Sequence, residues 1–203
     1  MKRALLAAMV PCLLGLAGCS SAPVQYYTLT APAQSPSTGA PAQTPPPAAA
    51  AREPLYVEVL PVGLPEMLDR AQMVVRQGDA GVSVLDRQRW ASPLSDELRA
   101  ALSTQLAAQL GAADAAGLPR QAGVPVWRIK VEVRRIDAWP GRQLQLDTDW
   151  SANLTSDSAR RLTCSSRVTL DSPADYPGLA ATHQAAVRHL AQQIASAIQN
   201  RTC

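Results

Sequence analysis

Histidine is scarce in this chain, with only His183 and His189 in 203 residues. They lie six apart on what reads as the last helix, about 240° around its axis, so they cannot share a metal in the i, i+4 manner. Both read as solvated rim residues. Four scattered cysteines form no Cys-x-x-Cys pair. Gly-x-Ser-x-Gly, P-loop and dinucleotide-binding fingerprints are missing too, and no serine sits in a pattern that pairs it with a base. No catalytic, metal-ligating or cofactor-binding residue can therefore be nominated, and a non-enzymatic role is expected. A surplus of one charge is also lacking. Nineteen Lys and Arg stand against 16 Asp and Glu, which gives no electrostatic case for wrapping nucleic acid. The longest apolar run is N-terminal and too short to span a bilayer comfortably, which excludes a polytopic membrane protein.

That N-terminal run is informative. Met1-Lys2-Arg3 is a positive n-region, Ala4 to Leu16 is Leu/Ala-rich, and a small-residue site follows. Together they describe an export signal over residues 1–18. The tetrad Leu16-Ala17-Gly18-Cys19 matches the bacterial lipobox, in which small residues admit the lipoprotein peptidase and the cysteine thiol accepts a diacylglyceryl group. Cys19 is thus the expected lipidation site, and its covalent lipid is the one non-protein group expected. Several acyl chains, at about 0.8 kcal/mol per buried methylene, would hold a soluble domain on a membrane essentially permanently. Ser20 at the next position favours the outer membrane over inner-membrane retention. Removing Lys2 and Arg3 with the leader leaves 17 basic residues against 16 acidic, a net charge near +1.

Residues 19–30 form a lipidated N-terminus with a β-prone tetrad, Tyr26-Tyr27-Thr28-Leu29. Residues 31–53 are Pro/Ala-rich, with Pro45-Pro46-Pro47 at their centre, and read as a solvated linker or loop. If the tetrad pairs with the domain, this run is a loop and the body sits close to the membrane. If it does not, the run is a tether that could span about 65 Å as polyproline II. We favour the loop.

The body, 54–203, begins with the alternation Leu55, Val57, Val59. Gln72 to Arg76 and Val82 to Leu85 suggest two strands around a Gln77-Gly78-Asp79 turn. Ser92 reads as an N-cap and Pro93 as the first helical residue, with Asp96 and Glu97 favouring the positive end of the dipole. Leu94, Leu98, Leu102, Leu106 and Leu110 then form a core-facing stripe that stops at Gly111. Asp114 to Pro125 reads as a loop. Trp127, Ile129, Val131 and Val133 alternate with Arg128, Lys130, Glu132 and Arg134, so one face of that strand meets a core and the other meets water. Leu144 to Leu154 and Leu162 to Leu170 continue the alternation across two turns, giving a three-stranded antiparallel meander. Pro177 to Asn200 carries Val187, Leu190, Ile194, Ala197 and Ile198 on one stripe. The expected fold is α+β, a mostly antiparallel sheet including the meander, with two main helices packed on one face.

Arg134-Arg135 and Arg160-Arg161 are isolated doublets, and adjacent strand residues should point to opposite faces, so they read as surface charge. Once Cys12 leaves with the leader and Cys19 is acylated, Cys164 and Cys203 remain. Export places them in an oxidising compartment, where an unpaired couple would be unusual. Cys164 faces inward on the third meander strand and Cys203 lies just beyond the final helix, so a disulfide between them is expected. The alternative is a buried free Cys164 with a mobile terminal Cys203.

Leu16-Ala17-Gly18-Cys19, Tyr26-Tyr27-Thr28-Leu29, the Tyr56-Val57-Glu58 strand leading to Pro61 and Pro65, and above all Trp90-Ala91-Ser92-Pro93-Leu94 resemble the PqiC-type auxiliary lipoproteins of the paraquat-inducible membrane-integrity system. The final helix, with His189-Leu190-Ala191-Gln192-Gln193-Ile194-Ala195, is similar as well. The Pro-rich run and the pair Cys164 and Cys203 are not general features of that family. The resemblance implies a lipoprotein on the periplasmic face of the outer membrane that works with an MCE-domain periplasmic protein and an inner-membrane permease-type subunit in lipid transport. It implies no catalytic activity, and roles in holding the fold for Tyr26, Tyr27, Trp90 and Pro93. A ring-like homo-oligomer would suit the capping of a symmetric tunnel. The competing readings are a periplasmic lipid-binding shuttle or chaperone, and a pilotin-like envelope-assembly lipoprotein.

Overall fold

The computed structural model describes residues 22–30, 54–115, 117 and 119–203. The signal segment 1–18, Cys19 and the run 31–53 lie outside the described residues. Eight strands and two helices follow in the order β1 (Gln25–Tyr27), β2 (Tyr56–Val59), β3 (Gln72–Gln77), β4 (Gly81–Trp90), α1 (Leu94–Leu110), β5 (Ala113–Asp114), β6 (Val126–Trp139), β7 (Gln143–Leu154), β8 (Asp157–Asp171) and α2 (Tyr176–Asn200).

The architecture is α+β, as the alternating strands and striped helices require, but the strands form two mixed sheets. The larger has the order β5-β2-β6-β7-β8 and the smaller the order β1-β4-β3. The meander β6-β7-β8 of the larger sheet is antiparallel, with Val131 opposite Trp150 and Trp150 opposite Cys164. On the other side of β6, β2 and β5 run parallel to it and to each other. A parallel neighbour needs a long crossover, and residues 60–125 supply one that contains the β3–β4 hairpin and α1. Alternation shows which face a residue occupies but not which strand lies beside it. The parallel pairs, and the strand at Ala113–Asp114 where a loop was expected to begin, come from that crossover.

Period-2 burial along β7 is complete: Leu144, Leu146, Thr148, Trp150, Ala152 and Leu154 are buried and the residues between them are not. These side chains share one core with the α1 stripe of Leu94, Leu98, Ala101, Leu102 and Leu106 and the α2 stripe of Leu179, Ala186, Val187, Leu190, Ile194 and Ile198, α2 lying against β7 and β8 and α1 against β2 and α2. Burying one such leucine fully contributes about 2 kcal/mol. Gly111 takes a left-handed conformation (φ 61°) after the last turn of α1, as its place in the sequence predicts. Gly141, at φ 76° in the β6–β7 turn, donates its N–H to the Pro173 carbonyl at 2.9 Å.

Two local expectations fail. Helix α1 begins at Leu94 with Pro93 as its N-cap, and the Ser92 hydroxyl donates to Glu97 Oε1 at 3.0 Å instead of capping a backbone N–H. Along β6 the register shifts between Val133 and Arg135. This irregularity leaves both Arg134 and Arg135 exposed, where unbroken alternation would have put them on opposite faces.

Candidate functional site

Residues 25–30, a few positions beyond Cys19, are part of the folded body. β1 pairs parallel with β4, Tyr27 opposite Trp90, and Ala91 N–H donates to the Tyr27 carbonyl at 2.7 Å. The Tyr27 hydroxyl donates to Gln88 Oε1 at 2.7 Å. Leu29 then drops into the core. The pin is Glu97, a carboxylate buried in the first turn of α1. Its Oε2 accepts from the Thr28 hydroxyl and from Leu29 N–H, both at 2.8 Å, while Oε1 accepts from Ser92. Gln184 on α2 donates to the Thr28 carbonyl at 2.7 Å. Three elements thus converge on one short segment. Sequence reasoning assigned Glu97 only to the helix dipole, yet its phase gives it away: Glu97 lies three residues after Leu94 and one before Leu98, on the buried stripe. Of the residues expected to hold the fold, Trp90 and Tyr27 do so, whereas Tyr26 is 65% exposed.

Cys164 and Cys203 are joined in a disulfide across a sequence separation of 39, with Cα atoms 5.6 Å apart, tying β8 to the residues beyond α2. Cys203 Sγ also lies 3.5 Å from the Thr163 carbonyl.

Contrary to expectation, His183 is no rim residue. It is 5% exposed, and its Nδ1–H donates to the Leu179 carbonyl at 2.9 Å. Its ring meets Trp90 edge to face with centroids 5.1 Å apart. Burial pushes its pKa down to about 4, with the backbone hydrogen bond opposing. His189 is exposed. Among the described residues, no group of three or more His, Cys, Asp or Glu could hold a metal ion.

The outer face of the large sheet is covered by paired charges. Arg134 donates to Asp149 at 2.6 Å and Arg167 to Asp147 at 2.9 Å, while Arg128 and Arg120 share Glu58. Hydrogen bonds from Ser165 and Arg134 hold the Asp149 carboxyl below the usual carboxylate range. Arg161 donates to Asn153, and Arg160 lies over the Trp127 ring, 5.3 Å from its centroid.

Where the β3–β4 hairpin crosses the end of β6, Arg76 donates to the buried Asp137 at 2.6 Å. A groove of about 220 Å³ opens beside this pair, lined by Met67, Val74, Val82, Ile136 and Ala138 among others, with Arg134 and Arg135 at its wall. The described residues thus present a pinned N-terminal segment, a paired-charge sheet face and a partly apolar hairpin. No helix among the described residues is long and apolar enough to cross a membrane.

The family model for an ABC-type transport auxiliary lipoprotein component matches residues 27–195. No curated protein matches the chain. Among solved structures, the chain is similar to an uncharacterized protein at 19% identity and a TM-score of 0.63, covering 87% of this chain and 99% of the other. It is also similar to a protein from Xanthomonas campestris at 19% identity and a TM-score of 0.50, over 75% and 89%. At such identities the likeness is one of fold.

Proposed function

The chain belongs to the ABC-type transport auxiliary lipoprotein component family, and from that premise we propose that it is the lipid-anchored, non-enzymatic docking subunit of an MCE-type intermembrane lipid transport system that supports envelope integrity. Cys19 carries the acyl chains on the periplasmic face of the outer membrane, and the exposed surface receives an MCE-domain periplasmic protein whose inner-membrane partner is a permease-type subunit. The observation that carries this reading is the family match over residues 27–195, nearly the whole body. The pinned N-terminal segment supports it too, because an anchor joined directly to a rigid body fixes where that body stands.

Replacing Cys19 with Ala should abolish lipid labelling and move the protein to the soluble fraction. Crosslinking in intact envelopes followed by affinity capture should recover an MCE-domain protein with the wild-type chain and lose it with the Cys19→Ala variant. Recovery of no MCE-domain protein from the wild type would sink the transport reading while leaving the anchor reading intact. The shuttle alternative needs an acyl-sized space between sheet and helices, where the packed core lies. Native mass spectrometry should accordingly find no lipid held non-covalently.

A further inference from the structure

Large apolar side chains exposed among the described residues are Val24, Tyr26, Met67, Val82 and Val84. Each belongs to the three-stranded sheet or to the segment that leads into one of its strands. Val82 and Val84, at 42% and 37% exposure, are two residues apart on β4 and so share its outer face, with Val74 directly opposite Val84 on β3. Met67, 51% exposed, joins Val82 and Val74 around the groove floored by Ile136 and Ala138. At the hairpin turn, the Trp139 indole N–H donates to the Gly78 carbonyl at 3.0 Å. The guanidinium groups of Arg76 and Arg142 lie 6.0 and 5.5 Å from the Trp139 ring centroid. An apolar patch edged by an indole and by arginines with apolar stems suits the boundary between water and hydrocarbon. Asp79, Asp86 and Arg87 on the same hairpin are exposed, with Arg76 and Arg89 half-buried, so charge of neither sign dominates and apolar contact would hold such a surface.

The path of the chain says what lies against it. β1 is parallel to β4 with Gln25 opposite Gln88, so the backbone enters β1 from the side on which β4 begins, where the hairpin turns. Cys19 stands six residues before Gln25, a reach of at most about 20 Å. Gly81, at the start of β4, stands seven residues before Gln88, a comparable length. A membrane holding Cys19 is thus within reach of the hairpin end of the molecule.

We propose that the outer face of the three-stranded sheet, centred on Met67, Val82 and Val84, rests on the phospholipid surface into which the Cys19 acyl chains insert. This rests on the lipid-anchor reading above. The 14-residue strand β6 ends at the hairpin, at Trp139, and its other end lies about 45 Å back along the strand. The opposite pole, where Arg160, Arg161 and Arg201 line one shallow cavity, then faces away from the bilayer.

The test imposes the anchor whether or not the cell supplies it. The chain from Cys19 onward is coupled through the Cys19 thiol to a maleimide phospholipid in phosphatidylethanolamine/phosphatidylglycerol vesicles, with Cys164 and Cys203 kept oxidised. A second sample is coupled to a short soluble maleimide. Amide hydrogen exchange on the vesicles should slow roughly threefold or more in residues 64–70 and 77–84, and stay unchanged in β8 around residues 163–169. The Val82→Glu, Val84→Glu double variant, altered at exposed positions and coupled in the same way, should lose the slowing. Slowing at neither segment, slowing at β8 instead, or slowing that survives the double substitution overturns the proposal. The mass of the N-terminal peptide of the protein purified from membranes reports separately on acylation, so failure of the anchor reading is not confused with failure of this one.

Discussion

Glu97 shows what a single buried carboxylate does here. It is the common acceptor for Thr28, Leu29 and Ser92, so it joins the segment that follows β1 to α1. Replacing it with Ala leaves the Leu29 N–H and two hydroxyls without that acceptor, at about 3 kcal/mol for the set. Glu97→Ala should lower the urea midpoint and accelerate proteolysis near residues 22–30, whereas Glu97→Gln, which keeps an acceptor oxygen, should lose less. His183 makes a different demand. Its folded pKa is lowered from 6.5 to about 4, so below pH 6.5 the unfolded chain binds a proton that the folded one refuses. Stability should fall as pH drops from about 6.5 to about 4, by about 3 kcal/mol in all. A His183→Gln variant should flatten that part of the stability-versus-pH curve. An equally steep curve would show that other groups dominate.

Among the elements, β8 is the long edge strand of the large sheet, the short β5 forming the other edge, and a hazard for unplanned pairing. Arg160, Arg161 and Arg167 along it oppose such pairing by charge. The Cys164–Cys203 bond fastens the same strand to the end of α2. In the chain-entropy model a closed loop of that size restricts the unfolded chain enough to add about 4 kcal/mol of stability. Unfolding with and without reductant should therefore give well-separated midpoints, with Cys164→Ser behaving like the reduced protein. Mass measurement should find no free thiol in these two residues before reduction. The hairpin β3–β4 is held differently, by the Arg76–Asp137 pair at its crossing with β6, which couples the small sheet to the large one.

At the scale of the molecule, the distance between body and membrane depends on which part of the chain lies between them. Residues on both sides of the run 31–53 belong to the same body, β1 before it and β2 after it. On the lipid-anchor reading, the six residues from Cys19 to Gln25 then set the standoff, and the Pro-rich run does not. Inserting about 20 flexible residues within 31–53, which roughly doubles the connection, should cost only about 0.6 kcal/mol and leave crosslinking to the partner intact. The same insertion between Ser21 and Ala22 lengthens the tether and should weaken that crosslinking. Equal effects at the two places would refute this geometry.

Local pattern was enough for the elements whose neighbours follow in sequence. Alternation along most of the stretch from Trp127 to Leu170 determined the meander and its buried face, because period-2 burial and short turns leave one antiparallel arrangement. The leucine stripe and Gly111 determined α1 in the same way, and Leu16-Ala17-Gly18-Cys19 carried the expectation of an anchor. Tertiary structure decided what depends on residues far apart in the chain. The parallel pairing of β2 with β6, the docking of β1 on β4, Glu97 as a pin and Asp137 as the partner of Arg76 each join groups about 60 or more residues apart. Periodicity records whether a side chain is buried, not what it touches. His183 makes the same point, since the sequence placed it on the last helix and left it to read as a solvated rim residue. Packing against Trp90 and the Leu179 carbonyl settled the matter.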